Sequence, residues 1–211
     1  MLKNDQKHAA QNVLEFYYLA NQLKEVVRTG WKQWNVPVER RESVAEHIFG
    51  TCMLAIAIHS EYDYEIDIKK VMMMLIVHET EEIIISDIAP FDGVSQEEKR
   101  RMGHEAIKKI FSILKKGYTY EELILEFDER ITMEAKFAYM CDKLEADLMS
   151  IYYDKNGEVT LERASEFLKN NKDIIELSGN GSKSMSECFY LFENRLDDNF
   201  KEVLEAAWRE K

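Results

Sequence analysis

The stretch Glu42-Ser43-Val44-Ala45-Glu46-His47-Ile48-Phe49-Gly50-Thr51 decides how the chain is read. Ser43 with Glu46 three residues later is a capping box. The serine hydroxyl and the glutamate side chain satisfy backbone N–H groups left over at a helix start, so a helix should begin at Ser43 and run over about residues 43–60. At helical spacing His47 shares a face with Gly50, Thr51, Leu54 and Ile58, so its ring should point inward. A lone histidine on an apolar face is usually a satisfied core residue, and what decides its role is the company it keeps elsewhere in the chain.

Two further polar positions sit in similar settings. His78-Glu79 falls near the end of an apolar helix expected over about residues 66–80, where His78 follows Val71, Met74 and Leu75. Asp142 belongs to a long helix expected over about 131–153 and shares its face with Ala135, Ala138, Tyr139, Ala146 and Met149. An unpaired buried carboxylate costs several kcal/mol or neutralises, so Asp142 calls for a cation or strong donors. Two imidazoles and two carboxylates form a mixed nitrogen and oxygen set that suits one divalent transition metal, Mn, Co, Zn, Fe or Ni, with Mg admitted, better than calcium. The expected ligands are His47, His78, Glu79 and Asp142.

Composition supports an all-α fold: two prolines and eight glycines accompany abundant Leu, Glu, Lys, Met and Ala. At 211 residues the simplest reading is one domain over 1–211, with a C-terminal helical extension over 154–211. A net charge of −12 disfavours nucleic-acid polymers but not a small anionic substrate. Neither a long apolar run nor a signal peptide is visible, so no membrane association and a cytoplasmic location are expected. Cys52, Cys141 and Cys188 are far apart and read as buried reduced thiols.

Other helices are expected over residues 8–27, with Gly30 as C-terminal cap, from Ser95 to about 116, from Thr119 onward, over 161–170, and from Ser184 towards Trp208. Ile83-Ile84-Ile85 favours a strand in isolation. With no partner strand it is read as helix or irregular chain. Pro90, Asp92 and Gly93 mark one loop, Asn156-Gly157 a turn and Gly179-Asn180-Gly181-Ser182 another loop.

The order His47, His78-Glu79, Asp142 resembles the H…HD…D signature of HD-domain metal-dependent phosphohydrolases. Arg28-Thr29-Gly30-Trp31, Glu42 to His47, Glu82, Asp87-Ile88-Ala89-Pro90 and Asp142-Lys143-Leu144-Glu145 are similar to the 5′-deoxynucleotidase branch, over about residues 23–149. The resemblance implies a compact HD-domain helical fold, a homodimer, and hydrolysis of deoxyribonucleoside 5′-monophosphates to nucleoside and phosphate. It implies that His47, His78, Glu79 and Asp142 hold the metal and that Glu82, one turn beyond His78 if the helix continues, orients or deprotonates water. Arg28 would grip the phosphate, Trp31 would pack near the sugar and disfavour a 2′-hydroxyl, and Asp87 would accept from the 3′-hydroxyl. One departure stands out. Glu79 replaces the aspartate of the family's second motif and is one methylene longer.

Alternatives remain at this stage. His78-Glu79-Thr80-Glu81-Glu82 lacks the second histidine of H-E-x-x-H, which removes a metallopeptidase. A catalytically degenerate HD-domain protein that binds metal or nucleotide in a regulatory role competes with the enzyme, and Glu79 would be its mark. Retention of Arg28, Glu82 and Asp87 favours the enzyme.

Overall fold

A computed structural model describes residues 4–88, 92–159 and 195–210. The described residues form α-helices: α1 (Asn4–Ala20), α2 (Thr29–Gln33), α3 (Val44–Glu61), α4 (Ile68–Val77), α5 (Glu82–Ile85), α6 (Gln96–Phe111), α7 (Tyr118–Glu129), α8 (Met133–Lys155) and α9 (Asp198–Arg209). Short 3-10 turns cover Asn21–Lys24 and Val38–Arg40. Among the described residues there is no strand, only one antiparallel bridge between Val27 and Ser43. The all-α expectation holds.

Helices α3, α4 and α8 pack on one another and form the centre, with α7 against α4 and α8, and α9 laid on α8. Ala55, Ile58, Val71, Met74, Leu75, Ala138, Cys141 and Leu144 fill that centre, all at 2% exposure or less. Small residues at 55, 135 and 138 let the helices approach closely, and Leu75 and Leu144 interdigitate there. Tyr64 and Phe200 both meet Phe137 edge to face, which fastens α9 to the centre. A second cluster of Val77, Ile107, Ile110, Phe111 and Ile124 joins α6 and α7 to the end of α4.

The capping box forms as expected: the Ser43 Oγ accepts from Glu46 N–H and the Glu46 carboxylate accepts from Ser43 N–H at 2.7 Å. Ser95 likewise caps α6 through Glu98 N–H. Cys52 and Cys141 are buried and free, as expected.

Several boundaries differ. The first helix stops at Ala20 because Asn21 Nδ2 donates to the Tyr17 carbonyl, competing for the last turn. Gly30 therefore caps nothing and lies within α2. Asp67 caps α4 through Lys69 and Lys70 N–H, and the helix ends at Val77 rather than Thr80. The strand-prone Ile83-Ile84-Ile85 is helical in α5. Helix α6 ends at Phe111, five residues short of expectation, with Ser112 Oγ donating to Lys109 O. Thr119 does not cap α7, since its hydroxyl donates back to Lys116 O and the helix has already begun at Tyr118. The last helix starts afresh at Asp198 under an Asp197 cap. The expected helix over 161–170, the 179–182 loop, the Ser184 start, Pro90 and Cys188 lie outside the described residues.

At Gly117 close approach leaves no room for a side chain, because a Cβ would stand 1.9 Å from the Phe111 carbonyl oxygen. Gly117→Ala should therefore destabilise the fold by about 1–3 kcal/mol, the range for forced overpacking, read as a lower denaturant midpoint with an unchanged slope.

Candidate metal centre

Each polar side chain of the centre is placed by a local device. The capping box sets the start of α3 and so aims His47 into the core, where it is fully buried. His78 stands at the C-terminal end of α4, and its Nδ1–H donates to the Leu75 carbonyl at 2.7 Å. A carbonyl can only accept, so in the neutral ring Nε2 carries the lone pair. Asp142 and Glu145, three residues apart on α8, face α3 together.

The His47 ring lies between those two carboxylates. Its Nδ1 bonds Glu145 Oε2 and its Nε2 stands 3.1 Å from Asp142 Oδ1. Glu79 Oε1 lies 3.8 Å from His47 Nε2 and 3.9 Å from His78 Nε2. One ligand atom from each of His47, His78, Glu79 and Asp142 falls within 4.8 Å of the others. The structure thus brings together all four expected ligands, drawn from α3, the end of α4 and α8.

Two orphaned atoms test whether this set fits a cation. His78 Nε2 and Glu79 Oε2 are buried without a hydrogen-bond partner. A lone-pair nitrogen and a carboxylate oxygen left so are costly unless something electropositive meets them. The donor set fits a divalent transition metal.

Charge around the ligands is organised accordingly. Burial works against ionisation of Asp142, but Lys143 Nζ at 2.7 Å and the His47 bond hold its pKa well below the usual range. Burial and Arg28 oppose a charged His47, yet Glu79, Asp142 and Glu145 outweigh them and raise its pKa to about 10. Glu42, buried beside Glu145, is pushed up to about 7, burial being the main cause.

Arg28 reaches the same place by a different route. Val44 N–H bonds Val26 O and Arg28 N–H bonds Glu42 O, a short antiparallel pairing that fixes Arg28 immediately before α2. Its Nη1 lies 3.4 Å from Glu79 Oε1. Burial disfavours its charge, but Glu79, Asp87 and Glu42 hold the guanidinium protonated. Trp31 in α2 is 2% exposed and meets Tyr153 edge to face at 5.1 Å.

The helix does not continue from His78 to Glu82. A turn over residues 79–81 intervenes and Glu82 opens α5. The turn still delivers Glu82 to the centre, buried at 2% with Oε2 unpartnered and Lys99 Nζ 3.9 Å from Oε1. Burial, then Glu79 and Asp87, raise its pKa well above the ordinary value. Asp87 follows α5, and its Oδ2 accepts from Thr29 N–H while its carbonyl accepts from Thr29 Oγ at 2.6 Å.

The chain has counterparts among known proteins. The HD-domain family model matches residues 20–179. The chain belongs to the HD-domain family. Human 5′-deoxynucleotidase HDDC2 is 36% identical over 149 residues, covering 70% of this chain and 71% of the human protein. The fission yeast 5′-deoxynucleotidase hdd1 is 31% identical over 158 residues, covering 71% and 77%. Among solved structures, the PH0347 protein of Pyrococcus horikoshii superposes with a TM-score of 0.67 at 26% identity, covering 94% of this chain and 99% of that one. An HD-domain phosphohydrolase from Listeria innocua shares the fold at a TM-score of 0.55 and 18% identity, over 94% and 97% of the two chains.

Within this HD-domain chain, sequence reasoning missed Glu42, Lys143 and Glu145 as members of the site. Glu145 had a usable signal, since it shares the inward face of α8 with Asp142. Ser86 went unnoticed as well. It links Glu82 to Asp87 at φ 61° and ψ 170°, a region that essentially only glycine occupies, at a cost of order 1–3 kcal/mol. The two Thr29 bonds to Asp87 hold the next residue in place against that strain. Ser86→Gly should accordingly raise the unfolding free energy by about 1 kcal/mol, measured by denaturant titration.

Proposed function

We propose that the chain is a metal-dependent phosphohydrolase that converts deoxyribonucleoside 5′-monophosphates to nucleoside and phosphate. The observation that carries this reading is the orphaned His78 Nε2, grouped with His47, Glu79 and Asp142 and flanked by Arg28 and Glu82. One divalent transition metal, Mn, Co, Zn, Fe or Ni, with Mg admitted, would be held by His47, His78, Glu79 and Asp142 and would supply Lewis acidity and an acidified water.

Arg28 contributes a fixed positive charge for the phosphate, in a geometry suited to paired oxygens. Substrate phosphate would share Arg28 with Glu79 or draw it away. Glu82, its pKa raised by burial and by Glu79 and Asp87, would take a proton from water and return it to the leaving alkoxide. Asp87 would accept from the 3′-hydroxyl, with Oδ1 as the oxygen not engaged by Thr29 N–H. Trp31 would back the sugar side and disfavour a 2′-hydroxyl. The roles suggested by the names of the human and yeast relatives support this substrate class.

We further read residues 1–211 as one domain, acting as a cytoplasmic homodimer on a nucleotide, without nucleic acid polymer or membrane. No described helix is long and apolar enough to cross a membrane. The exposed stripe Phe49, Met53 and Ile56 on α3 supports the dimer, since such apolar patches mark contact surfaces. The regulatory alternative is favoured only by Glu79, which remains able to coordinate as an anionic oxygen donor.

Deoxy and ribo 5′-monophosphates assayed with Mn²⁺, Co²⁺, Mg²⁺ and Zn²⁺ should release phosphate, faster from the deoxy series. Glu82→Gln should lower kcat by roughly 10²–10⁴-fold, the usual share of a general acid or base, while metal content stays unchanged. Metal binding without phosphate release from any nucleotide would leave the regulatory reading.

A further inference from the structure

The metal-facing histidine of α3 is itself held by a device on α8. His47 is fully buried, and its Nδ1 is bonded to Glu145 Oε2 from the side away from Asp142. Glu145 is 7% exposed and sits one helical turn beyond Asp142, so one face of α8 supplies both a ligand and a carboxylate behind the opposite ligand. Gly50, one turn beyond His47 on α3, makes the room. A Cβ there would lie 2.6 Å from Glu145 Oε1 and 3.1 Å from its Cγ and Cδ.

We infer that Glu145 is a positioning residue that fixes the ring orientation and Nδ1–H tautomer of His47 so that Nε2 is presented to the metal, and that Gly50 is the space that lets Glu145 do so. The inference rests on the metal reading above and adds two residues to it. The chemical reason is general: a ligating imidazole whose other nitrogen donates to a carboxylate is oriented, locked in one tautomer and made a better donor. His78 achieves the same end with the Leu75 carbonyl. The two rings are therefore locked by unlike partners, one backbone and one side chain, and only the lock on His47 can be removed by substitution.

Gly50 supplies a test that a merely structural role would not pass. Glycine inside a helix is less stable than alanine by roughly 0.5–1 kcal/mol, and the atom a new methyl would meet is the mobile end of Glu145, not backbone. Gly50→Ala should thus push the carboxylate off His47, with the helix gain offsetting part of the stability that the pairing supplies in chelator.

The experiment is calorimetric titration of metal-stripped full-length protein with Mn²⁺ and Co²⁺, beside melting curves in EDTA. Glu145→Ala and Gly50→Ala should each weaken metal binding by about 10–100-fold, the usual loss for an outer partner of a ligating histidine. Glu145→Gln, which keeps an acceptor for Nδ1–H, should recover part of the loss. Wild-type binding with both variants within threefold of it would overturn the inference and leave the metal reading intact. Failure of the wild type to bind either ion would remove the metal reading and the inference together. A Gly50→Ala chain that binds weakly but melts in EDTA below Glu145→Ala would count against a positioning role for Gly50.

Discussion

The contact on which the structure turns is the His47 imidazole, fully buried between Asp142 and Glu145 of α8. A buried ionisable group without partners costs several kcal/mol, and removing one partner from such a group leaves the other stranded. The pairing therefore fixes more than a ring. Two carboxylates one helical turn apart grip both nitrogens, which sets the register of α3 against α8. Helix α4 packs on both, and its C-terminal end then presents His78 to the same volume. Apolar packing by Ala55, Leu75, Ala138 and Leu144 supplies the bulk of the burial, and the polar centre adds a directional constraint to it.

What could be read from the sequence follows the range of the forces involved. Ser43 with Glu46 and Ser95 with Glu98 were legible because a cap is settled within four residues. Thr119 with Glu122 has the same pattern and fails, since the preceding turn at Gly117 starts α7 a residue early and the threonine hydroxyl turns back to Lys116. The inward faces of His47, His78 and Asp142 followed from periodicity, and the ligand set followed from their resemblance to a known order. Continuity from His78 to Glu82 did not, because the side chain of His78 takes the Leu75 carbonyl and the chain turns before α5. Glu145 and Gly50 belong to different helices, and their relation exists only once those helices cross.

The acidity of the chain acquires a local meaning at this centre. Glu42, Glu79, Glu82, Asp87, Asp142 and Glu145 converge there, against Arg28, Lys99 and Lys143 as fixed cations. The carboxylates outnumber the cations even when His47, with its raised pKa, is counted among the latter. Burial first, and the neighbouring carboxylates after it, raise the pKa values of Glu42 and Glu82, while Asp142, next to Lys143, remains low. Neighbouring carboxylates with pKa values pushed apart are what acid and base chemistry in one site requires. A dication among these residues would offset the excess of carboxylates.

Glu79 is where this chain parts from its family's motif, and its carboxylate lies among three cationic or ligand nitrogens. Its Oε1 stands 3.4 Å from Arg28 while remaining 3.8 Å from His47 Nε2 and 3.9 Å from His78 Nε2. A single oxygen therefore faces both the ligand nitrogens and the guanidinium proposed to bind phosphate. Burial alone would neutralise Glu79, yet His47 and Arg28 lower its pKa, so it stays an anion where a ligand must be one. Arg28 is held charged by the same pairing, because an unpartnered guanidinium would not be kept at this depth. The longer side chain still reaches the centre. One carboxylate oxygen thus sits between the group proposed to hold the metal and the guanidinium proposed to meet the phosphate.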